Sequence, residues 1–325
     1  MKIFMVCPAP RGSRKGNRVT AERWSALLTR ERHRVTVASD WDGEACDLLL
    51  ALHARKSHAA VRRYREAHPS GPLIVTLTGT DLYRDLPLNH QARQSIHWAD
   101  RLIVLHARAA EDLPANVRHK VRVVLQSAAP LMPRPARSSK IFQVCVLGHL
   151  RNEKDPSCAA IALRRLPHLK QIRLIQAGKA LSQIYATWAR AAMRRDSRYR
   201  WLGEVSGARA RRLLASSKLM VISSRLEGGA NVVSEAIVNG VPILASKIPG
   251  NIGLLGEDYP GYFRVGDPKS LAAQIELACS DEQFYRSLER WIARLAPRFR
   301  PTCEQAALSK VVGEAAPKAH VAGGG

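Results

Sequence analysis

The chain has 325 residues, 46% hydrophobic and 24% charged, a globular composition with length for two domains of roughly 150 residues. No run of eighteen apolar residues occurs, so no helix is expected to span a membrane. Lysine and arginine number 51 against 27 acidic residues, and the resulting charge of +24 attracts polyanions, anionic surfaces or small phosphorylated substrates.

In chain order, Lys2–Cys7 predicts a short buried strand, because Pro8 ends the apolar run before it reaches signal-peptide length. A loop rich in glycine, serine and arginine follows from Pro8 to Asn17. Ala21, Trp24, Leu27 and Leu28 then recur at helical spacing. Arg34–Ala38 and Asp47–Leu52 predict the second and third strands and Val61–Ala67 a helix. Leu73–Leu77, Arg101–Leu105 and Val121–Leu125 predict three more strands. Between Pro130 and Lys140 the periodicity stops in a run of prolines and serines that reads as an interdomain linker. A second series opens with the strand Phe142–Gly148 and continues through strands at Ile172–Gln176, Leu219–Ser223 and Val241–Ala245. Helices are predicted over 156–165, 182–196, 207–216, 232–239, 268–279 and 281–295. Such alternation predicts an α/β protein of two Rossmann-like domains, each with a parallel sheet, facing an interdomain cleft. The boundaries are 1–133, a linker over 134–140, and 141–297. A C-terminal helix near 298–312 is expected to pack back on the first domain, and 313–325 is expected to be a flexible tail.

Six cysteines stand at positions 7, 46, 145, 158, 279 and 303 with no CxxC pair. The scatter fits reduced, mostly buried thiols of a cytoplasmic protein better than a disulfide frame or a metal cage.

Two loops carry chemistry. The first lies in Leu219–Ala236, where a strand runs through Glu227-Gly228-Gly229-Ala230-Asn231 straight into a helix. Glycines let the backbone approach a ligand, and the free N–H groups of a helix start favour an anion. Glu227 and Glu235 can each accept hydrogen bonds from a vicinal diol through two oxygens. Taken alone, the same residues fit a tight turn with two solvated glutamates. The second is Gly148-His149-Leu150-Arg151 with Lys154, another strand-to-helix turn with a compact positive charge suited to phosphate.

Together these loops resemble a known family. Glu227-x7-Glu235, followed by Gly240-Val241-Pro242, is similar to the nucleotide-sugar signature of the large GT-B glycosyltransferase group often called family four. Gly148-His149-Leu150 with Lys154, Gly16, His33–Val37 and Ala99–Val104 resemble its other landmarks, so the likeness covers roughly residues 1–300. It implies that Glu235 holds the ribose and Glu227 the transferred sugar. It further implies that Lys154 holds the diphosphate with the amides near Gly228, Gly229, Ala230 and Asn231. Two departures stand out. His149 occupies the place of the usual arginine, leaving Arg151 as its substitute, and Thr78-Gly79-Thr80-Asp81 lacks the family's His-Gly before the aspartate.

A narrower resemblance rests on Pro8–Ser13, Gly16–Trp24, Trp41–Gly43, Ala51–Arg55 and Leu77–Arg84, with Glu227–Asn231 and Ile248–Asn251. These segments are similar to the bacterial selenosugar synthases of selenoneine biosynthesis. That likeness implies joining selenophosphate to the sugar of UDP-N-acetylglucosamine or UDP-glucose. A multiply charged acceptor needs cations, and Arg11, Arg14, Lys15, Arg18 and Arg23 stand together in sequence. Gly16, Asn17, Arg18, Thr78 and Asp81 are the expected acceptor contacts, and Lys154, Arg151 and Glu227 the catalytic ones. An ionised selenium nucleophile needs no strong general base, so catalysis would rest on positioning and on stabilising the leaving diphosphate. No cofactor or metal is expected. Two other classes compete. One is a GT-B transferase with a lipid or carbohydrate acceptor, its basic surface docked on an anionic membrane. The other is a nucleic-acid-binding protein, disfavoured because aromatics are 6% and do not cluster with the arginine pairs.

Overall fold

The computed structural model describes residues 1–13 and 15–316, so Arg14 of the basic loop and residues 317–325 of the expected tail lie outside the described residues. Contacts divide the chain into two units: Met1–Gln126 together with the segment from Thr302 onward, and Ser127–Pro301.

The first unit contains β1 (Lys2–Val6), α1 (Gly16–Arg30), β2 (Arg34–Ala38), β3 (Leu48–Leu52), α2 (His58–Ala67), β4 (Leu73–Leu77), α3 (His90–Trp98), β5 (Arg101–Val104) and β6 (Val121–Val123). Its strands run parallel in the order β2-β1-β3-β4-β5-β6. Every residue of β3, the run Leu-Leu-Leu-Ala-Leu, is buried because helices cover both faces of the sheet. Leu49 and Ala51 join Val61, Tyr64 and Ile96 on one face. Leu48 and Leu50 join Trp24 and Leu28 on the other, so the stripe that predicted α1 is the stripe that packs. The sequence reading left α3 unassigned. Asn89 starts it, accepting the Ala92 N–H on its side-chain oxygen at 2.9 Å.

The second unit contains β7 (Phe142–Leu147), α4 (Cys158–Arg164), β8 (Ile172–Ala177), α5 (Gln183–Arg195), β9 (Tyr199–Trp201), α6 (Gly207–Ser216), β10 (Leu219–Ile222), α7 (Asn231–Val238), β11 (Ile243–Ser246), α8 (Pro249–Leu255), β12 (Tyr262–Phe263), α9 (Pro268–Ser280) and α10 (Glu282–Leu295). Its sheet is also parallel, in the order β12-β11-β10-β7-β8-β9. The strands the sequence did not reveal, β9 and β12, are edge strands of three and two residues, too short to display a period. Two doubly wound parallel sheets are therefore the architecture that the alternating pattern predicted.

The proline-rich run read as a linker over 134–140 lies in the second unit. Arg137 holds it there, with Nη2 donating to the carbonyls of Asn239 at 3.2 Å and Gly240 at 3.0 Å. The Leu131 N–H adds a bond to Asn239 Oδ1 at 2.9 Å. The helix expected near 298–312 is α11 (Pro301–Ala315), which takes in residues 313–315 of the expected tail. Its Leu308, Val311 and Val312 join the α1 face of the first core. Glu304 is buried there, accepting from Arg23 Nε at 2.8 Å and from Trp24 Nε1 at 2.6 Å. No helix among the described residues is long and apolar enough to cross a membrane.

Candidate functional site

In an open parallel sheet, ligands bind beyond the carboxyl ends of the strands where the strand order reverses. In the second unit that point lies between β7 and β10, which pair side by side although β8 follows β7 in sequence. A pocket opens there, lined by Gly148, His149, Lys154, Gln176, Ser223 and Ser224 among others. The two loops singled out in the sequence are thus brought to one place.

They are stitched to each other by more than the residues that sequence reasoning named. Ser223 Oγ donates to the carbonyls of Lys154 at 3.1 Å and Asp155 at 3.0 Å. The Arg225 N–H donates to the Glu153 carbonyl at 2.8 Å, and the Arg225 guanidinium holds Asp155 Oδ2 at 3.1 and 3.2 Å. Asp155 itself turns the chain with φ +42°, a left-handed conformation that aspartate tolerates better than most residues. Across this seam Lys154 Nζ donates to Glu227 Oε1, and Ser224 Oγ donates to the same oxygen at 2.5 Å. Glu227 is buried, and the side chain of Lys154, which lines the pocket, is one-fifth exposed.

A third segment braces the Glu227 loop from behind. Ser246, at the end of β11, donates to the Ser224 carbonyl at 2.5 Å, and Asn251 Nδ2 donates to the Ser246 carbonyl at 2.9 Å. Gly250 lies so close that a Cβ there would stand 2.0 Å from the Glu227 carbonyl oxygen. Gly178, after β8, does the same for the other loop, where a Cβ would stand 1.9 Å from the Gly148 carbonyl oxygen. Both glycines are required by close backbone approach. Ile248–Asn251 belonged to the narrower resemblance, but nothing in the sequence marked Ser223, Ser224, Arg225 or Gly178.

The remaining expected residues fall around this seam. Ala230 precedes α7 in extended conformation with no side chain capping the helix, and no acid stands in its first turn. The opening amides thus suit an anion. Gly228 and Ala230 are buried, while Gly229 and Asn231 are half-buried. Glu235 is half-buried on the second turn of α7. His149 accepts the Lys179 N–H on Nδ1 at 3.3 Å, which leaves the ring proton on Nε2. Burial lowers its pKa, helped by Arg151 and Lys154 against Glu204, which favours the neutral imidazole. Arg151 is half-buried with Nε 3.9 Å from Glu153 Oε2.

The expected acceptor residues lie in the first unit, at loops after β1 and β4. Gly16 is the exposed first residue of α1, and Asn17 is half-buried. Arg18 is buried and folds back, donating from Nη2 to the Ala9 carbonyl at 2.8 Å and from Nε to the Pro10 carbonyl at 3.2 Å. Arg23 serves the α11 contact described above, so two of the loop's cations shape the unit. Asp81 is fully buried, with Oδ1 accepting from the Thr78 and Gly79 amides and Oδ2 from Ala54 N at 3.0 Å. Its carboxylate is occupied in shaping the loop on which Thr78 lies half-buried.

Residues 131–294 match the model of a family described as glycosyl transferases group 1. No curated relative matches the chain. Among solved structures, Anabaena HepE in complex with UDP and glucose superposes with a TM-score of 0.76 at 17% identity, over 96% of this chain and 99% of that one. Sucrose-phosphate synthase of Thermosynechococcus elongatus gives 0.76 at 13% identity, over 96% and 98%. A glycosyltransferase of Rickettsia africae gives 0.70 at 11% identity, over 97% and 98%. At such identities the likeness is one of fold.

Proposed function

The chain belongs to the glycosyl transferases group 1 family and has its two-domain GT-B fold, and from that premise we propose that it transfers the sugar of a UDP-sugar to selenophosphate. In this reading the selenium lone pair forms a bond to the anomeric carbon while the bond from that carbon to the diphosphate oxygen breaks. UDP departs with the electron pair, and the sugar carries a new carbon–selenium bond. Glu235 holds the ribose hydroxyls and Glu227 the sugar. Lys154, Arg151 and the opening amides of α7 stabilise the charge that develops on the diphosphate. His149 adds a neutral hydrogen bond in place of a second cation.

The observation that carries the acceptor assignment concerns four sequence segments of the narrower resemblance. Pro8–Trp24, Trp41–Gly43, Ala51–Arg55 and Leu77–Arg84 are scattered in sequence, yet they leave or end the carboxyl edges of β1, β2, β3 and β4, four neighbours in one sheet. Arg11, Lys15, Arg55, Lys56 and Arg84 are exposed on those loops, a concentration of cations that favours a multiply charged anion over a neutral acceptor. The test is incubation of the protein with UDP-N-acetylglucosamine or UDP-glucose and selenophosphate, followed by mass spectrometry. The expected product is a sugar bearing the selenium isotope pattern, with UDP in equal amount. UDP release with a sugar adduct lacking selenium would replace selenophosphate by another acceptor.

A further inference from the structure

In the first unit the order of strands reverses at β1, and the loops after β1, β3 and β4 meet at its carboxyl edge. His53, just past β3, is 1% exposed and holds φ +75°, a left-handed conformation that a non-glycine residue adopts only where its surroundings impose it. The Lys56 N–H donates to His53 Nδ1 at 3.3 Å, which places the proton of the neutral ring on Nε2. Burial lowers the His53 pKa against the opposing pull of Asp81 and Asp85, with Lys56 adding to the fall. Nε2 lies 3.1 Å from Thr80 Oγ1 and 3.9 Å from Asp85 Oδ2, and only the first is a hydrogen bond. Thr80 therefore accepts from the imidazole. Its own hydroxyl proton has no acceptor among the described residues, and the residue is half-buried at the start of the turn Asp81–Asp85. Asp81 is engaged by three amides and Asp85 Oδ1 by Arg55 at 3.1 Å, while the buried Asp85 Oδ2 accepts no hydrogen bond and stays beyond reach of the imidazole.

We propose that Thr80 is an acceptor-binding residue whose hydroxyl, aligned by His53, donates a hydrogen bond to the oxyanion of selenophosphate. The inference rests on the acceptor reading given above and adds a specific donor to it. His53 is a positioning residue, and the left-handed backbone at 53 is what brings its ring to Thr80. The exposed Lys56 and Arg84 on the same two loops supply the long-range attraction.

Steady-state kinetics with purified full-length protein tests it. Thr80→Val removes the hydroxyl at constant shape, and Thr80→Ser restores it. His53→Asn keeps a residue tolerant of the left-handed region but too short to reach Thr80. Thr80→Val is expected to raise KM for selenophosphate roughly 10-fold or more, the scale of a hydrogen bond to a charged group, with UDP affinity unchanged. Thr80→Ser should stay within about 3-fold of the parent, since the same bond to a charged group is retained. His53→Asn should raise the same KM in the parent and leave it unmoved in the Thr80→Val background, because the two act as one unit. Unchanged selenophosphate KM in Thr80→Val, or additive effects of the two substitutions, would overturn the inference while leaving the activity in place. Absence of selenophosphate turnover in the unmodified protein would overturn the activity itself, and the inference with it.

Discussion

At the scale of single residues, the site depends on a few charges placed by backbone bonds. Lys154 is the cation proposed to hold the diphosphate, and its partner Glu227 sits on the opposite loop. Lys154→Ala should lower kcat about 10²–10³-fold, the magnitude of losing one preorganised charge donor, with little change in fold. Steady-state rates beside a circular dichroism spectrum check this, and near-parental turnover would remove Lys154 from the mechanism. The thiols give a second residue-scale expectation. Cys145 and Cys158 are buried, with burial pushing each thiol pKa up to about 12, whereas Cys303 is exposed. Alkylation of the native protein followed by peptide mapping should label Cys303 first and spare Cys145 and Cys158 until denaturant is added. Lys154 and Glu227, which the structure joins in an ion pair, were legible in the sequence because charged residues beside glycines at a strand-to-helix turn have a chemical meaning. Ser223, Ser224 and Arg225 were not, because a serine or arginine bonding a distant carbonyl looks like any surface residue.

At the scale of elements, long periodic segments were readable and short ones were not. The stripe Ala21, Trp24, Leu27, Leu28 identified α1, and the apolar run Leu48–Leu52 identified β3, since both patterns reflect burial directly. Strands β9 and β12 and helix α8 were missed, although Pro249 at the first turn of α8 was a usable signal. The run 130–140 shows no period, because it is held by isolated bonds from Arg137 and the Leu131 amide rather than by a packed face. Two substitutions test how elements hold the site. Gly178→Ala forces a Cβ against the Gly148 carbonyl, so it should displace the Gly148–Lys154 loop and weaken UDP binding at least 10-fold by calorimetry, since backbone atoms at such range must shift. Glu304→Ala strips Arg23 and Trp24 of their shared acceptor beneath α11. It should lower unfolding free energy by about 3 kcal/mol or more in urea titrations, the range for breaking a buried ion pair.

At the scale of the whole molecule, the alternating pattern sufficed for two doubly wound sheets, and the order of strands then located the pocket. Stability is expected to fall in acid. His53, His58 and His106 are buried in the first unit and each has its pKa lowered, chiefly by burial, His106 to about 4 from 6.5. Groups held neutral in the fold take up protons first when unfolded, so their contribution is complete above pH 6.5 and is lost as pH falls toward 4. For His106 alone the linkage amounts to about 3 kcal/mol. Thermal melts from pH 7 to 4 should show a falling midpoint, and a flat profile would mean the imidazoles reach solvent. In the proposed reaction the switch point between β7 and β10 binds the nucleotide of the donor. Crystals soaked in UDP test it most directly. Ribose hydroxyls are expected on Glu235 and diphosphate against Lys154, Arg151 and the first amides of α7. UDP bound away from these residues would contradict it.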